Sequence, residues 1–463
     1  MTPLVVVDVV GLTPRLLQHM PNLRAFADKG WQENLGTVLP AVTCTVQSTF
    51  LTGRTPAQHG IVGNGWYFRD LGEIHLWRQH NGLVQGDKLW DTGKVANLCW
   101  WYAMGAKTEL LVTPRPIYRA DGRKDPDCYT RPPGLRDDLT ARLGPFPLFH
   151  YWGPTASITS THWIRRAAQR LLRAERPDLM LVYLPHLDYD LQRHGPESPQ
   201  AVTAARQVDA EVAPLLAEAE EMGATVVVLS EYGITPVHRP VDINRALRRE
   251  GLLEVYTQDG MEYLDPWASR AFAVADHQVA HVYVQDDQDV ERVRGVLSWL
   301  PGVDEVLGRA EQARYQLDHE RSGELVVTAA PDSWFTYYYW LDDARAPDFA
   351  RTVEIHRKPG YDPAELFFDD PVKGRLKAAM ALARKKIGLR YTMDVVPLDP
   401  SRVRGSHGRL PDSPLDGPVL LCSEPAVPGW AEQRNGLRAT DVRALLEHFR
   451  LSQKPTGRSV LFS

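Results

Sequence analysis

Residues 179–196 read LMLVYLPHLDYDLQRHGP. The stretch opens on an apolar run, LMLVYLP (179–185), then turns abruptly polar with His186, Asp188, Asp190, Gln192 and His194. A short, unbroken apolar run reads as a strand buried on both faces. Upstream, residues 160–175 have the spacing of an amphipathic helix. Downstream, residues 200–222 read as a second helix and ATVVVLS (224–230) as a second buried strand. Strand, helix, strand and helix in alternation predict an α/β fold, a mostly parallel sheet with covering helices. In such sheets ligands bind in the crevice beyond the carboxyl ends of the strands. Two more acids occupy that position: Asp8 follows LVVV and Glu231 follows TVVVLS. Three acids from distant parts of the chain therefore predict one shared site.

The rest of the chain is arranged around this pattern. With 463 residues it has two or three domains' worth of length, or one large α/β domain with insertions. Hydrophobic residues make up 43%, enough for a sizeable core, and the net charge of -5 gives no reason to expect a nucleic-acid-binding surface. The N-terminal MTPLVVVDVVGLTPR lacks a basic leader segment and reads as a first strand. No apolar run approaches the ~18 residues of a membrane span. Four widely spaced cysteines make neither a disulfide framework nor a paired metal motif. A cytoplasmic protein without a membrane segment is the default expectation. Residues 66–155 are aromatic, proline-rich and irregular, and read as decoration on the core. Residues 245–370 read as a smaller α+β insertion or cap, with strand-like AFAVADHQVAHVYV, GELVVTAA and SWFTYYYWL around a helical DVERVRGVLSWL. The core is then 1–244 with 371–463, including a helix over 373–386 and a last strand at PVLLCS.

Carboxylates and imidazoles that converge in a crevice repel or desolvate one another unless a cation lies between them, and divalent metals are the simplest solution. Two metals about 4 Å apart can activate an alcohol and steady an in-line displacement at phosphorus. A source of alcohols is at hand in LPAVTCTVQSTFLTGRTPAQHGIVGN (39–64), which carries five threonines and a serine. A threonine is inert at its free pKa and becomes a nucleophile on a metal. At a helix start it also meets N–H groups suited to a phosphoryl oxygen.

Within this run, Thr52-Gly53, Pro56, His59-Gly60-Ile61 and Asn64 keep fixed offsets from one another. This pattern resembles the nucleophile segment of the nucleotide pyrophosphatase/phosphodiesterase family, in the alkaline phosphatase superfamily, which phosphonoacetate hydrolases share. The resemblance implies an alkaline-phosphatase-like three-layer α/β/α core and places the nucleophile ten residues before Gly53, at Thr43. It puts Asn64 on a phosphoryl oxygen and makes Asp8 the first metal ligand. The family's D-x-x-x-H aligns on Gly195-Pro196 to give Asp188 with Gln192. The pair Asp190 and His194 keeps the residue types in another register, so Gln192 and His194 both stand as partners. The family's S-D-H-G becomes Ser230-Glu231-Tyr232-Gly233, with Glu231 as an oxygen ligand and Tyr232 as packing or substrate contact. Ser406-His407-Gly408 supplies the last ligand, His407. Two histidine positions are replaced, and Asp276, His277 or His281 could make up the loss.

The resemblance thus implies a hydrolase of phosphodiester or pyrophosphate bonds with two divalent ions, zinc or manganese. Thr43, on a metal held by Asp8 and Glu231, forms a covalent ester, and Asp188 and His407 hold the second metal. The expected substrate is a small nucleotide-like phosphodiester. A phosphonate or phosphomonoester substrate at the same site is an alternative, and so is a non-catalytic phosphate-binding protein that has lost metal ligands. The sulfatase motif C/S-x-P-x-R is absent near Thr43.

Overall fold

A computed structural model describes residues 3–120, 124–386, 393–425 and 436–452. Its centre is a nine-stranded sheet. In chain order the strands are β1 (Leu4–Val9), β2 (Trp31–Gly36), β3 (Val95–Leu98), β4 (Leu110–Pro114), β5 (Cys128–Arg131), β6 (Leu179–Leu184), β7 (Thr225–Leu229), β8 (Val419–Cys422) and β9 (Leu437–Arg438). Across the sheet they run β9-β2-β8-β7-β1-β6-β3-β4-β5. The five middle strands, β7 to β4, are parallel, whereas β8 and β5 pair antiparallel with their inner neighbours. Strands β1, β6 and β7 are buried along their whole length, as their unbroken Val and Leu runs require.

Register fixes where the polar residues emerge. Asp8 pairs with Tyr183 on one side and Leu229 on the other, so all three central strands end at one level. Helix α2 (Ile158–Glu175) leads into β6, and α3 (His186–His194) starts immediately after it. Helix α4 (Pro199–Glu221) then returns the chain to β7. Asp188 and Glu231 therefore enter the same crevice as Asp8.

The aromatic section is part of the core, which corrects the expectation that it merely decorates it. It contributes β3, β4 and β5, and Trp90 and Trp100 are buried in the main apolar cluster. These strands are only four or five residues long and lie between irregular loops, so the pattern of period two never becomes visible. Between residues 271 and 329 lies a separate four-stranded antiparallel sheet, ordered 271–276, 279–284, 325–329 and 303–307, with the helix Val290–Ser298. In SWFTYYYWL only Ser333–Phe335 is a strand. Tyr337 to Trp340 are all buried but lie outside any strand. The cap's apolar cluster also takes in Cys44, Ile61, Val62 and Trp66, which packs the cap against the threonine-rich segment. Among the described residues no helix is long and apolar enough to cross a membrane.

Candidate active site

The threonine-rich run becomes helix α1 (Thr43–Thr52), preceded by extended Val42 and stopped by Gly53 at φ +66. Every residue of α1 is buried. Buried hydroxyls need partners, and inside a helix the carbonyl four residues back supplies one. Ser48 donates to the Cys44 carbonyl at 2.7 Å, Thr49 to Thr45 at 3.0 Å and Thr52 to Ser48 at 2.7 Å. Thr43, in the first turn, has no such carbonyl. Its Oγ1 lies 3.0 Å from the Tyr232 hydroxyl instead. Thr45 Oγ1 is also buried without a partner, and Thr43 is the hydroxyl of the helix that reaches Tyr232 across the crevice.

Asn64 packs against the same first turn. Its Oδ1 accepts from the Cys44 N–H at 3.0 Å, and its Nδ2 donates to Asp276 Oδ1 at 3.1 Å. Its backbone N–H reaches Asp276 Oδ2 at 2.7 Å. Asp276 therefore serves to hold Asn64, a role distinct from that of a replacement metal ligand. An amide carries two hydrogens, so Asp276 leaves the second available.

One turn beyond Thr43 on the same helix face, Gln47 donates from Nε2 to Asp8 Oδ2 at 3.3 Å. Its Oε1 accepts from the Trp101 N–H at 2.8 Å, tying the aromatic section to the site. Asp8 Oδ1 and both Glu231 oxygens are buried and have no close donor apart from Gln47 and each other's carboxyl. The two carboxyls lie against each other, and burial pushes both above the ordinary carboxylate range. For Glu231 the charge of Asp8 adds to that rise.

On α3, Asp188 Oδ2 accepts from Gln192 Nε2 at 2.9 Å, as i and i+4 residues on one face can. Asp190 turns away to pair with Arg193 at 3.0 Å, and His194 is exposed. Gln192 is thus the residue beside Asp188, and Asp190 and His194 stand outside the crevice. Burial raises the Asp188 carboxyl to about 7, against hydrogen bonds from Gln192 and Tyr232 that lower it. Its Oδ1 has no partner and lies 3.8 Å from His407 Nε2, which is also open. His407 Nδ1 donates to the Ala41 carbonyl at 2.8 Å, which leaves the Nε2 lone pair facing the crevice.

Four rings form a column beside these groups. Tyr232 stacks on His407 at 3.6 Å and 6°, His407 meets His277 at 3.8 Å, and His277 stacks on Tyr361 at 3.6 Å. The Tyr361 hydroxyl donates to Gln192 Oε1 at 3.0 Å. His277 lies at the cap's hairpin turn with φ +60, its Nδ1 2.8 Å from Asp276. His281 is structural: Nε2 donates to the Val62 carbonyl at 2.8 Å and Nδ1 accepts from the Gly323 N–H at 3.2 Å. Gln47 and Tyr361 are absent from the residues that the sequence singles out. Gln47 carries a signal, its i+4 spacing from Thr43, whereas Tyr361 arrives from a distant loop and carries none.

Residues 4–362 match the profile of the type I phosphodiesterase/nucleotide pyrophosphatase family. The chain belongs to this family. Phosphodiesterases and pyrophosphatases of this kind are hydrolytic enzymes of the alkaline phosphatase superfamily, whose α/β fold the chain shares. Among similar solved structures is phosphonoacetate hydrolase from Sinorhizobium meliloti 1021 with phosphonoacetate, at 19% identity and a TM-score of 0.63 over 97% of this chain and 96% of that one. Another is murine ectonucleotide pyrophosphatase/phosphodiesterase 5 with AMP, in an inactive threonine-to-alanine form, at 14% identity and 0.57 over 97% and 95%. The human counterpart matches at 13% and 0.58 with the same coverage.

Proposed function

We propose that this protein hydrolyses a phosphodiester, pyrophosphate or phosphonate bond with Thr43 as nucleophile. The observation that carries the reading is the placement of Thr43 at the start of α1, where its hydroxyl is spared from backbone pairing and faces Tyr232. That one similar structure is an inactive threonine-to-alanine form supports the same choice. The Thr43 oxygen attacks phosphorus, the bond to the leaving group breaks, and water then cleaves the phospho-threonine ester to restore the hydroxyl. The remaining Asn64 amide hydrogen and the first-turn N–H groups of α1 other than that of Cys44, which Asn64 takes, would hold phosphoryl oxygens as charge develops.

The residues present fit a divalent cation. Buried carboxylate oxygens, on Asp8 and Glu231 beside Thr43, are the donor set of a hard ion such as manganese more than of zinc. A cation there supplies acidity to the Thr43 hydroxyl and neutralises the phosphoryl charge. Asp8, Glu231 and Thr43 would hold it, and Asp188 and His407 present the open atoms opposite.

The test is hydrolysis of bis-p-nitrophenyl phosphate, p-nitrophenyl phosphate and phosphonoacetate with saturating manganese or zinc. Preference for the diester supports a phosphodiesterase, whereas cleavage of phosphonoacetate alone makes it a phosphonate hydrolase. The replacements Gln192 and Tyr232 favour a second reading, a phosphate-ligand-binding protein, and no turnover of any of the three would support it.

A further inference from the structure

We propose that this chain builds one cation position, at Asp8, Glu231 and Thr43, where its family's pattern makes two. The inference rests on the reading of this crevice as cation-binding and concerns how many ions it takes.

The open donors are unevenly divided. On the Asp8 side three buried carboxylate oxygens, Asp8 Oδ1 and both of Glu231, face only each other and the Gln47 amide, and glutamate's extra methylene carries its oxygens up against Asp8. On the Asp188 side only Asp188 Oδ1 and His407 Nε2 are open. The third donor that this side needs would come from position 192. There the Gln192 carbonyl already accepts from Tyr361 at 3.0 Å, and its amide nitrogen points at Asp188 from 2.9 Å. A side chain that presents N–H to the shared carboxylate takes the place of a cation and does not bind one. Zinc sites take three or four protein ligands. Among the described residues no three His, Cys, Asp or Glu side chains gather as such a set, so each side stands as a pair. Thr43 opens the helix turn whose next residue on that face, Gln47, donates to Asp8, and the proposal takes its oxygen as the third donor there.

The ring column secures this arrangement. Tyr232 stands where the pattern has histidine, and its hydroxyl lies between Thr43 and Asp188. Its ring lies flat on His407, which is backed in turn by His277 and Tyr361. Tyr361, the last ring, is the one that engages Gln192. Tyr232 and Gln192 thus belong to one packed unit, which turns the second position into a hydrogen-bonded scaffold.

The test counts ions and needs no turnover, so it stands apart from any failure of the hydrolase reading. The full-length protein is saturated with manganese or zinc, desalted and assayed by elemental analysis. About one ion per chain is expected. D8N and E231Q should each lose it, D188N should keep it, and the double variant Q192H/Y232H should gain a second. Two ions in the unaltered chain, none at all, or one that survives D8N and E231Q but is lost in D188N would overturn the proposal. Unchanged far-UV circular dichroism in each variant guards against loss by misfolding.

Discussion

Replacing Asp188 with asparagine should stabilise the ion-free protein, and the gain should grow with pH. Asp188 is buried and its carboxyl is raised from 3.8 to about 7, chiefly by desolvation. Between those two values the native state holds a proton that the unfolded state has released, so stability falls as pH rises and levels off above about 7. A tenfold change in proton affinity between the two states is worth about 1.4 kcal/mol, which puts the full cost of the carboxyl near 4 kcal/mol at pH 8 and about 1.7 kcal/mol at pH 5. Asparagine keeps an oxygen for Gln192 and does not titrate. The advantage of D188N should therefore widen by on the order of 3 kcal/mol from pH 5 to pH 8. For a chain of 463 residues the unfolding entropy makes 1 kcal/mol worth roughly 1 °C, so the melting gap should open by about 3 °C. Calorimetry or dye-based melting of both proteins in chelator, at half-unit pH steps, measures it. Because the proposed cation lies on the Asp8 side, saturating manganese should raise both melts at pH 8 and leave the gap in place. A gap that stays constant with pH, or a D188N protein that melts below wild type at pH 8, is incompatible with a desolvated carboxyl at this position.

Other variants probe the remaining parts of the site. Y232F keeps the stack on His407 but loses the contacts with Thr43 and Asp188, so kcat on the diester should fall about tenfold or more, roughly 1.4 kcal/mol, with KM little changed. D276N removes the negative partner that fixes Asn64, and kcat should drop while the ion count holds. H194A should leave activity within about twofold, since His194 is exposed on the far face of α3; a large loss would return it to the site. Gly408 has φ +123, and a Cβ there would stand 3.0 Å from the Gln278 nitrogen of the cap turn. G408A should cost about 1–3 kcal/mol in urea unfolding and shift His407 out of register.

How far the site can be read from the chain depends on where its residues sit. Asp8, Asp188 and Glu231 are legible because each directly follows an uninterrupted apolar strand, and strand ends in a parallel sheet share one edge. Thr43 is legible by offset from Gly53, and it opens α1 as expected. The choice between Gln192 and His194 is not, because both lie one turn from an aspartate, and only the face that α3 buries decides it. Asp276 and Tyr361 reach the crevice from the cap side through tertiary contacts, and no local pattern announces that. The short strands β3 to β5 are hidden by the aromatics around them, which read as surface ornament yet fill the core.

Mass spectrometry of protein quenched in acid during turnover of a diester, followed by peptide mapping, tests the role of Thr43 most directly. A phosphoryl adduct on Thr43, absent in T43A together with turnover, is the predicted result. Undiminished turnover in T43A, or an adduct on any other side chain, would contradict it.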